Sequence, residues 1–124
     1  MPRVVHFDIK TEEPEKLKKF YEKVFNWKFD KWNDPSGQME YYLVNTGEEE
    51  PGIDGGLAKR EGPDDQIDIT IGVKDIERYA KLIEENGGKI LSPKMSISGV
   101  GYLMNFEDPQ ENKYSIMEDD PEVK

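Results

Sequence analysis

Apolar and polar positions alternate from the first residues of the chain. In Arg3–Lys10, Val5, Phe7 and Ile9 fall on one face, and Val4, His6, Asp8 and Lys10 on the other. A period of two over this length predicts a strand with one apolar side. The period then changes. Pro14 suits a first helical turn, where its missing N–H is not needed. Leu17, Phe20, Tyr21, Val24 and Phe25 follow at helical spacing, with Lys16, Lys18, Lys19, Glu22 and Lys23 on the other side. Asn26 is a plausible stop. Alternation returns in Trp27–Trp32, the turn formers Asn33–Gly37 interrupt it, and strands are expected over Glu40–Asn45 and Ile53–Lys59, with a charged loop between them.

The same order then repeats. Ile67, Ile69, Ile71 and Val73 alternate with Asp68, Thr70 and Gly72. Asp75 is an N-cap residue. Ile76, Tyr79, Ala80 and Ile83 form a second helical stripe, and Asn86-Gly87-Gly88 is a C-cap signal. Strands are expected at Lys89–Leu91, Gly101–Phe106 and Lys113–Glu118, the last two joined by the turn Asp108-Pro109-Gln110-Glu111-Asn112. The chain therefore reads βαβββ twice, with modules over 3–59 and 66–118 and an acidic tail over 119–124. A repeat of half the chain length marks two copies of one unit. No flexible linker separates them, so a single α+β domain over 1–124 is expected, its halves folding on each other or pairing with those of a second chain. His6 and Asp68 stand at equivalent positions of the two copies.

Composition narrows the classes. Seventeen Lys and Arg against 27 Asp and Glu give a net charge of −10. So acidic a chain repels a phosphate backbone, and no nucleic-acid partner is expected. No window approaches the roughly 18 apolar residues of a membrane span. Charges at Arg3, His6, Asp8 and Lys10 do not fit a signal peptide. The absence of cysteine excludes disulfides, thiol nucleophiles and thiolate metal sites, and fits a reducing compartment; a cytoplasmic location is the expectation.

His6 is the single histidine. VVHFDI followed by a helix ending FYEKVFNW resembles the first module of the vicinal oxygen chelate superfamily, which includes glyoxalase I, bleomycin resistance proteins and extradiol dioxygenases. DITIGVKDIERYAKLIEENGGKI and VGYLMNFEDPQENKYSIME, with the Asp108-Pro109-x-x-Asn112 turn, resemble the second module. The likeness covers residues 3–118 and is strongest to small glyoxalase-related proteins. It implies two modules, each curling a mixed sheet into a half-open cup with helices outside and a ligand cavity on the concave side. His6, Asp8, Asp68 and Thr70 would then face the cavity, and the Val5, Phe7, Ile9 and Ile67, Ile69, Ile71 sets the helices.

The resemblance also implies ligand positions for a divalent ion such as Zn, Ni, Mn or Fe: the first and last strand of each module. His6 matches the first. Asp68 offers oxygen at the second. The last-strand positions fall at Ser115 and at Gly55 or Gly56, which lack ordinary ligands. His6 and Asp68 are the metal candidates, and no metal cofactor is the expectation. His6 then reads as a ligand-binding residue of the cavity, as a general base assisted by Asp8, two residues on and on the same strand face, or as a strand histidine satisfied by its neighbours. Asp68, Thr70, Ser115, Tyr42, Tyr102 and Arg60 are the candidate ligand-binding residues: the tyrosines as aromatic cavity wall, Arg60 as a contact for an anion. Met39, Met95, Met104 and Met117 could plug an adaptable pocket or fill the core. Two readings stand side by side: a lyase or isomerase of glyoxalase type acting on a small oxygenated metabolite, and a non-catalytic small-molecule binder like the bleomycin resistance proteins. A homodimer is expected from the same resemblance.

Overall fold

A computed structural model describes residues 2–33 and 40–124. The expected turn at 33–37, beyond Asn33, and Met39 lie outside these residues. The elements are β1 (Arg3–Thr11), α1 (Pro14–Phe25), β2 (Lys28–Lys31), β3 (Tyr41–Asn45), β4 (Gly55–Lys59), β5 (Asp68–Gly72), α2 (Ile76–Glu85), β6 (Lys89–Ile90), β7 (Met95–Ile97), β8 (Gly101–Glu107) and β9 (Lys113–Asp119). The chain forms two compact units. One runs from His6 to Ile67; the other joins the residues up to Val5 to Asp68–Lys124.

In the first unit the strand order is β2-β3-β4-β1. β1 and β4 are parallel, while β3 is antiparallel to both of its neighbours. In the second unit the order is β5-β9-β8-β6, with β7 also paired to β8. β5 and β9 are parallel, and β8 is antiparallel to β9, β6 and β7. The two units thus share one topology, the α+β repeat of βαβββ modules that the periodicity predicts, in the glyoxalase-like form that the resemblance implies. The second unit has one strand more than expected. β7 has only three residues, and its Met95-Ser96-Ile97 pattern is too short to register as a period.

Local chemistry sets the helix ends. Pro14 opens α1, and Asn26 closes it in the left-handed conformation (φ 61°), its N–H bonded to the Glu22 carbonyl. The Asp75 carboxylate caps α2 by accepting from Arg78 N. Gly87, at φ 94°, ends it, and Gly88 N donates to Ile83 O. The turn after β8 is tied by Asp108, whose carboxylate accepts from Gln110 N, Asn112 N and Asn112 Nδ2. Backbone bonds from Gly99 N to Val123 O and from Asp120 N to Val100 O hold the acidic tail.

Each unit has its own core on the helix side of its sheet. Ile9, Tyr42, Val44 and Leu57 form the first, with Phe7, Leu17, Tyr21, Trp27 and Phe29 around them. Val73, Ile76, Phe106 and Ile116 form the second. The apolar stripe of α1 is wider than its contact. Leu17 and Tyr21 touch the core, whereas Phe20, Val24 and Phe25 remain more than half exposed. Helical spacing marks an apolar arc, and a four-stranded sheet covers only part of it. Val5 also departs from its strand-mates: it is exposed, while Phe7 and Ile9 pack under α1. Among the described residues no helix is long and apolar enough to cross a membrane.

Candidate functional site

Alternation along β1 sends Phe7 and Ile9 into the core and His6, Asp8 and Lys10 to the opposite face. On that face three side chains close a triangle. Tyr41 Oη donates to Asp8 Oδ1 at 2.7 Å, and His6 Nε2 lies 3.2 Å from the same oxygen and 3.1 Å from Tyr41 Oη. The His6 and Asp8 side chains are 31% and 20% exposed, so the group is shielded yet reachable from solvent.

The triangle forms because of Gly56. The β1–β4 register sets Gly56 opposite Asp8. A Cβ at Gly56 would overlap the Tyr41 hydroxyl and press on Asp8 Oδ1. The equivalent pairing in the second unit sets Ser115 opposite Thr70. Register therefore fixes Gly56, not Gly55, as the last-strand position of the first module. Where the resemblance would put a metal ligand there is open space, and the Tyr41 phenol enters it.

Electrostatics follow from this packing. Burial opposes ionisation of Asp8. The His6 hydrogen bond and charge, the Tyr41 hydrogen bond and the charge of Lys10 outweigh it, so the carboxyl sits below its ordinary value. Burial, then the Asp8 charge and hydrogen bond, push the Tyr41 phenol up. At neutral pH the site holds a carboxylate and a neutral phenol. An ionised Asp8 beside Nε2 favours a proton on that nitrogen, which leaves the lone pair of the neutral ring on Nδ1.

The other sequence-named residues lie elsewhere. Ser115 is fully buried and Thr70 is 3% exposed, so neither hydroxyl is open to solvent. Ser115 Oγ lies 2.7 Å from Asp68 Oδ2 and 2.8 Å from Asn105 Oδ1. One hydroxyl proton cannot serve two acceptors; with the Asn105 amide turned over, its nitrogen donates to Ser115, which donates to Asp68. Tyr42 belongs to the helix-side core, and its hydroxyl donates to Glu15 Oε2 at 2.6 Å. Glu15 first, then burial and the charges of Glu15 and Glu40, push that phenol up to about 12. Tyr102 packs with the second core under the Lys94 ammonium, 4.6 Å from the ring centre. Both tyrosines thus sit on the face away from where an aromatic cavity wall was expected. One residue along β3 reverses the face, and Tyr41, not Tyr42, meets His6. Trp32 packs edge-on against Tyr41, at 6.0 Å. Arg60 Nη2 donates to the Lys10 carbonyl at 3.1 Å. Met104 packs at the second core.

The second unit holds a cleft of about 350 Å³ lined by Arg3, Val5, Gly72, Lys74, Met117 and Asp119 among others. None of the sequence-named catalytic or ligand-binding residues lines it. For a metal ion, the donor set does not fit. Among the described residues no three His, Asp or Glu side chains gather around one point, and Gly56 takes the place of a ligand.

No curated protein matches the sequence. Solved structures do match the fold. A hypothetical protein from Bacillus halodurans is 17% identical with a TM-score of 0.75, over 99% of this chain and 98% of its own. Methylmalonyl-CoA epimerase from Mycobacterium tuberculosis is 9% identical with a TM-score of 0.72, over 95% and 88%. A Streptomyces coelicolor methylmalonyl-CoA epimerase variant in complex with 2-nitronate-propionyl-CoA is 12% identical with a TM-score of 0.69, over 98% and 97%. At these identities the likeness is one of fold. The family model for the Glyoxalase/Bleomycin resistance protein/Dioxygenase superfamily matches residues 3–116, nearly the whole of both modules, and the chain belongs to that superfamily.

Proposed function

We propose that the protein is a glyoxalase-related enzyme of the lyase or isomerase type, which moves a proton on a small oxygenated metabolite without a metal centre. The observation that carries this reading is the Tyr41–Asp8–His6 chain of hydrogen bonds on the open face of the first sheet. His6 is the base. The neutral imidazole takes a proton from the carbon beside a carbonyl, and the electron pair of the C–H bond passes to the carbonyl oxygen. The imidazolium then returns the proton to the enolate oxygen, or to the former carbonyl carbon where the first carbon bears a hydroxyl whose own proton passes to the enolate oxygen, so the step balances as an isomerisation. Asp8 is a positioning residue: it orients the imidazole and stabilises the imidazolium that forms. Tyr41 positions Asp8. General-base assistance of this kind contributes roughly 10²–10⁴-fold.

The test is loss of α-proton signals by ¹H NMR in D₂O, over a panel of small oxo compounds that includes 2-oxoaldehyde thiohemiacetals. Wild-type protein is expected to wash the signal out, and His6→Gln to slow it by a factor of about 10²–10⁴. Melting shifts with panel compounds, but no exchange with any of them, would overturn the enzymatic reading in favour of a small-molecule binder.

A further inference from the structure

The sheet of the second unit is apolar on both faces. Met104, Phe106 and Ile116 belong to the core under α2. Strand parity sends their neighbours Leu103 and Met117 to the other side. There the register lines up one row: Met95 of β7 opposite Leu103 of β8, Leu103 opposite Met117 of β9, and Met117 opposite Gly72 of β5. Val5 continues it, its Cγ1 lying 3.2 Å from where a Cβ on Gly72 would stand. None of Met95, Leu103, Met117 and Val5 belongs to the core under α2. A sheet face that meets only water reads polar. Here the runs Tyr102-Leu103-Met104 and Ile116-Met117 break the alternation, as strands covered on both faces do.

The row is narrow. Two residues along the strands on one side stand Asn105, Ser115 and Thr70, where Ser115 is bonded to Asp68 and Asn105. On the other side follow Ile97, Gly101 and Asp119. From Met95 to Val5 the row crosses the strand order β7-β8-β9-β5-β1, a length of roughly 19 Å. At its Val5 end it opens into the cleft of about 350 Å³, since Val5, Gly72 and Met117 line both. The charges at the rim of that cleft balance: Arg3 and Lys74 against Glu118 and Asp119. Glu118 is also engaged, its Oε1 accepting from Ile76 N at 3.0 Å. An ion of either sign therefore meets a like charge as well as an opposite one, and the apolar row is left to select the ligand.

We infer that the row and the cleft form a second ligand site, and that it takes an uncharged, unbranched aliphatic chain. Thioether and leucine side chains adapt to a flexible chain. Gly72 leaves the gap through which the chain passes from Met117 to Val5. A strip one residue wide, with polar groups alongside, suits a chain better than a broad ring. The neutral polar end stays at the charged rim, as in a pocket that is mostly apolar with a few polar groups. No residue of the His6 triangle lines the row or the cleft, so the site stands apart from the acid–base reading.

Three probes with the same number of carbons separate the chemistry: n-octanol, octanoate and cyclooctanol. In ¹H–¹³C spectra of the full chain labelled at the methionine ε-methyls, n-octanol should shift Met95 and Met117 and leave Met104, on the helix side, unmoved. Octanoate should bind no tighter than n-octanol, and cyclooctanol more weakly. Met117→Gln, followed at Met95, should weaken n-octanol about tenfold. Met95→Gln, on the short strand β7 and followed at Met117, should act in the same direction, and backbone spectra report the folding of each. In His6→Gln the affinity should be unchanged. Unmoved Met95 and Met117, an equal shift at Met104, tighter binding of octanoate, equal or tighter binding of cyclooctanol, or an unchanged affinity in the folded variants would overturn the site. Met95 and Met117 shifts that grow with protein concentration alone would also overturn it, by giving this face to a second copy of the chain.

Discussion

The Gly56→Ala substitution tests the geometry of the triangle directly. Gly56 is in an ordinary extended strand, so its backbone accepts alanine, and in open space the change would stabilise by about 0.4–1 kcal/mol through the unfolded chain. Here the new methyl overlaps the Tyr41 hydroxyl. Two responses are open. The methyl is accommodated by strain, at about 1–3 kcal/mol. Alternatively, Tyr41 swings out and its hydrogen bond to the Asp8 carboxylate is lost, at about 1.5–3 kcal/mol for a charged acceptor. Either way Gly56→Ala should destabilise by about 1–2.5 kcal/mol net. For a chain of this size that lowers the urea midpoint by roughly 0.5–1.5 M. In a Tyr41→Ala background only the contact with Asp8 Oδ1 remains, and the same substitution should cost clearly less. The double-mutant cycle reads the coupling without needing the absolute cost of either change. A Gly56→Ala protein as stable as wild type, or one equally destabilised with and without Tyr41, would refute the placement of Tyr41 over Gly56.

Two further outcomes follow from the ionisable groups. Asp8 has a folded-state value below the ordinary 3.8, so its ionised form stabilises the fold above about pH 4, and that contribution is lost as pH falls through the lower folded value. The urea-midpoint gap between wild type and Asp8→Asn should therefore close as pH falls from about 5 to below 4; a gap that widens over that range refutes the sign. Tyr42, pushed up to about 12 chiefly by the Glu15 hydrogen bond, favours the fold below the ordinary value of 10.0 and loses that contribution as pH rises through 12. In Glu15→Gln its titration, followed by ¹³Cζ NMR, should fall back toward 10.0, and an unchanged curve would show that the bond is not made.

The repeat was legible because both modules spell out their periods. Ile69-Thr70-Ile71 alternates, Asp75 offers a cap, and Asn86-Gly87-Gly88 offers a stop; each of these acts within a few residues and needs no distant partner. The site was legible only in part. His6 and Asp8 share a strand face by parity alone, and the structure brings them within 3.2 Å. Tyr41 was not singled out, because Tyr41 and Tyr42 are adjacent aromatics, and the apolar run Tyr41–Val44 gives no sign of which face is wet. The structure breaks the tie: Leu43, which shares Tyr41's parity, stays half exposed, whereas Tyr42 and Val44 go inside.

The sequence by itself determined the βαβββ repeat, its helix boundaries and its acidity, since periodicity, caps and composition are local properties of a chain. Only the tertiary structure decided which tyrosine reaches the histidine, which of two glycines takes the place of a ligand, and that Arg60 holds a buried donor with no acceptor among the described residues. These depend on register between strands that are distant in sequence, and a shift of one residue would carry each of those side chains to the other face of the sheet.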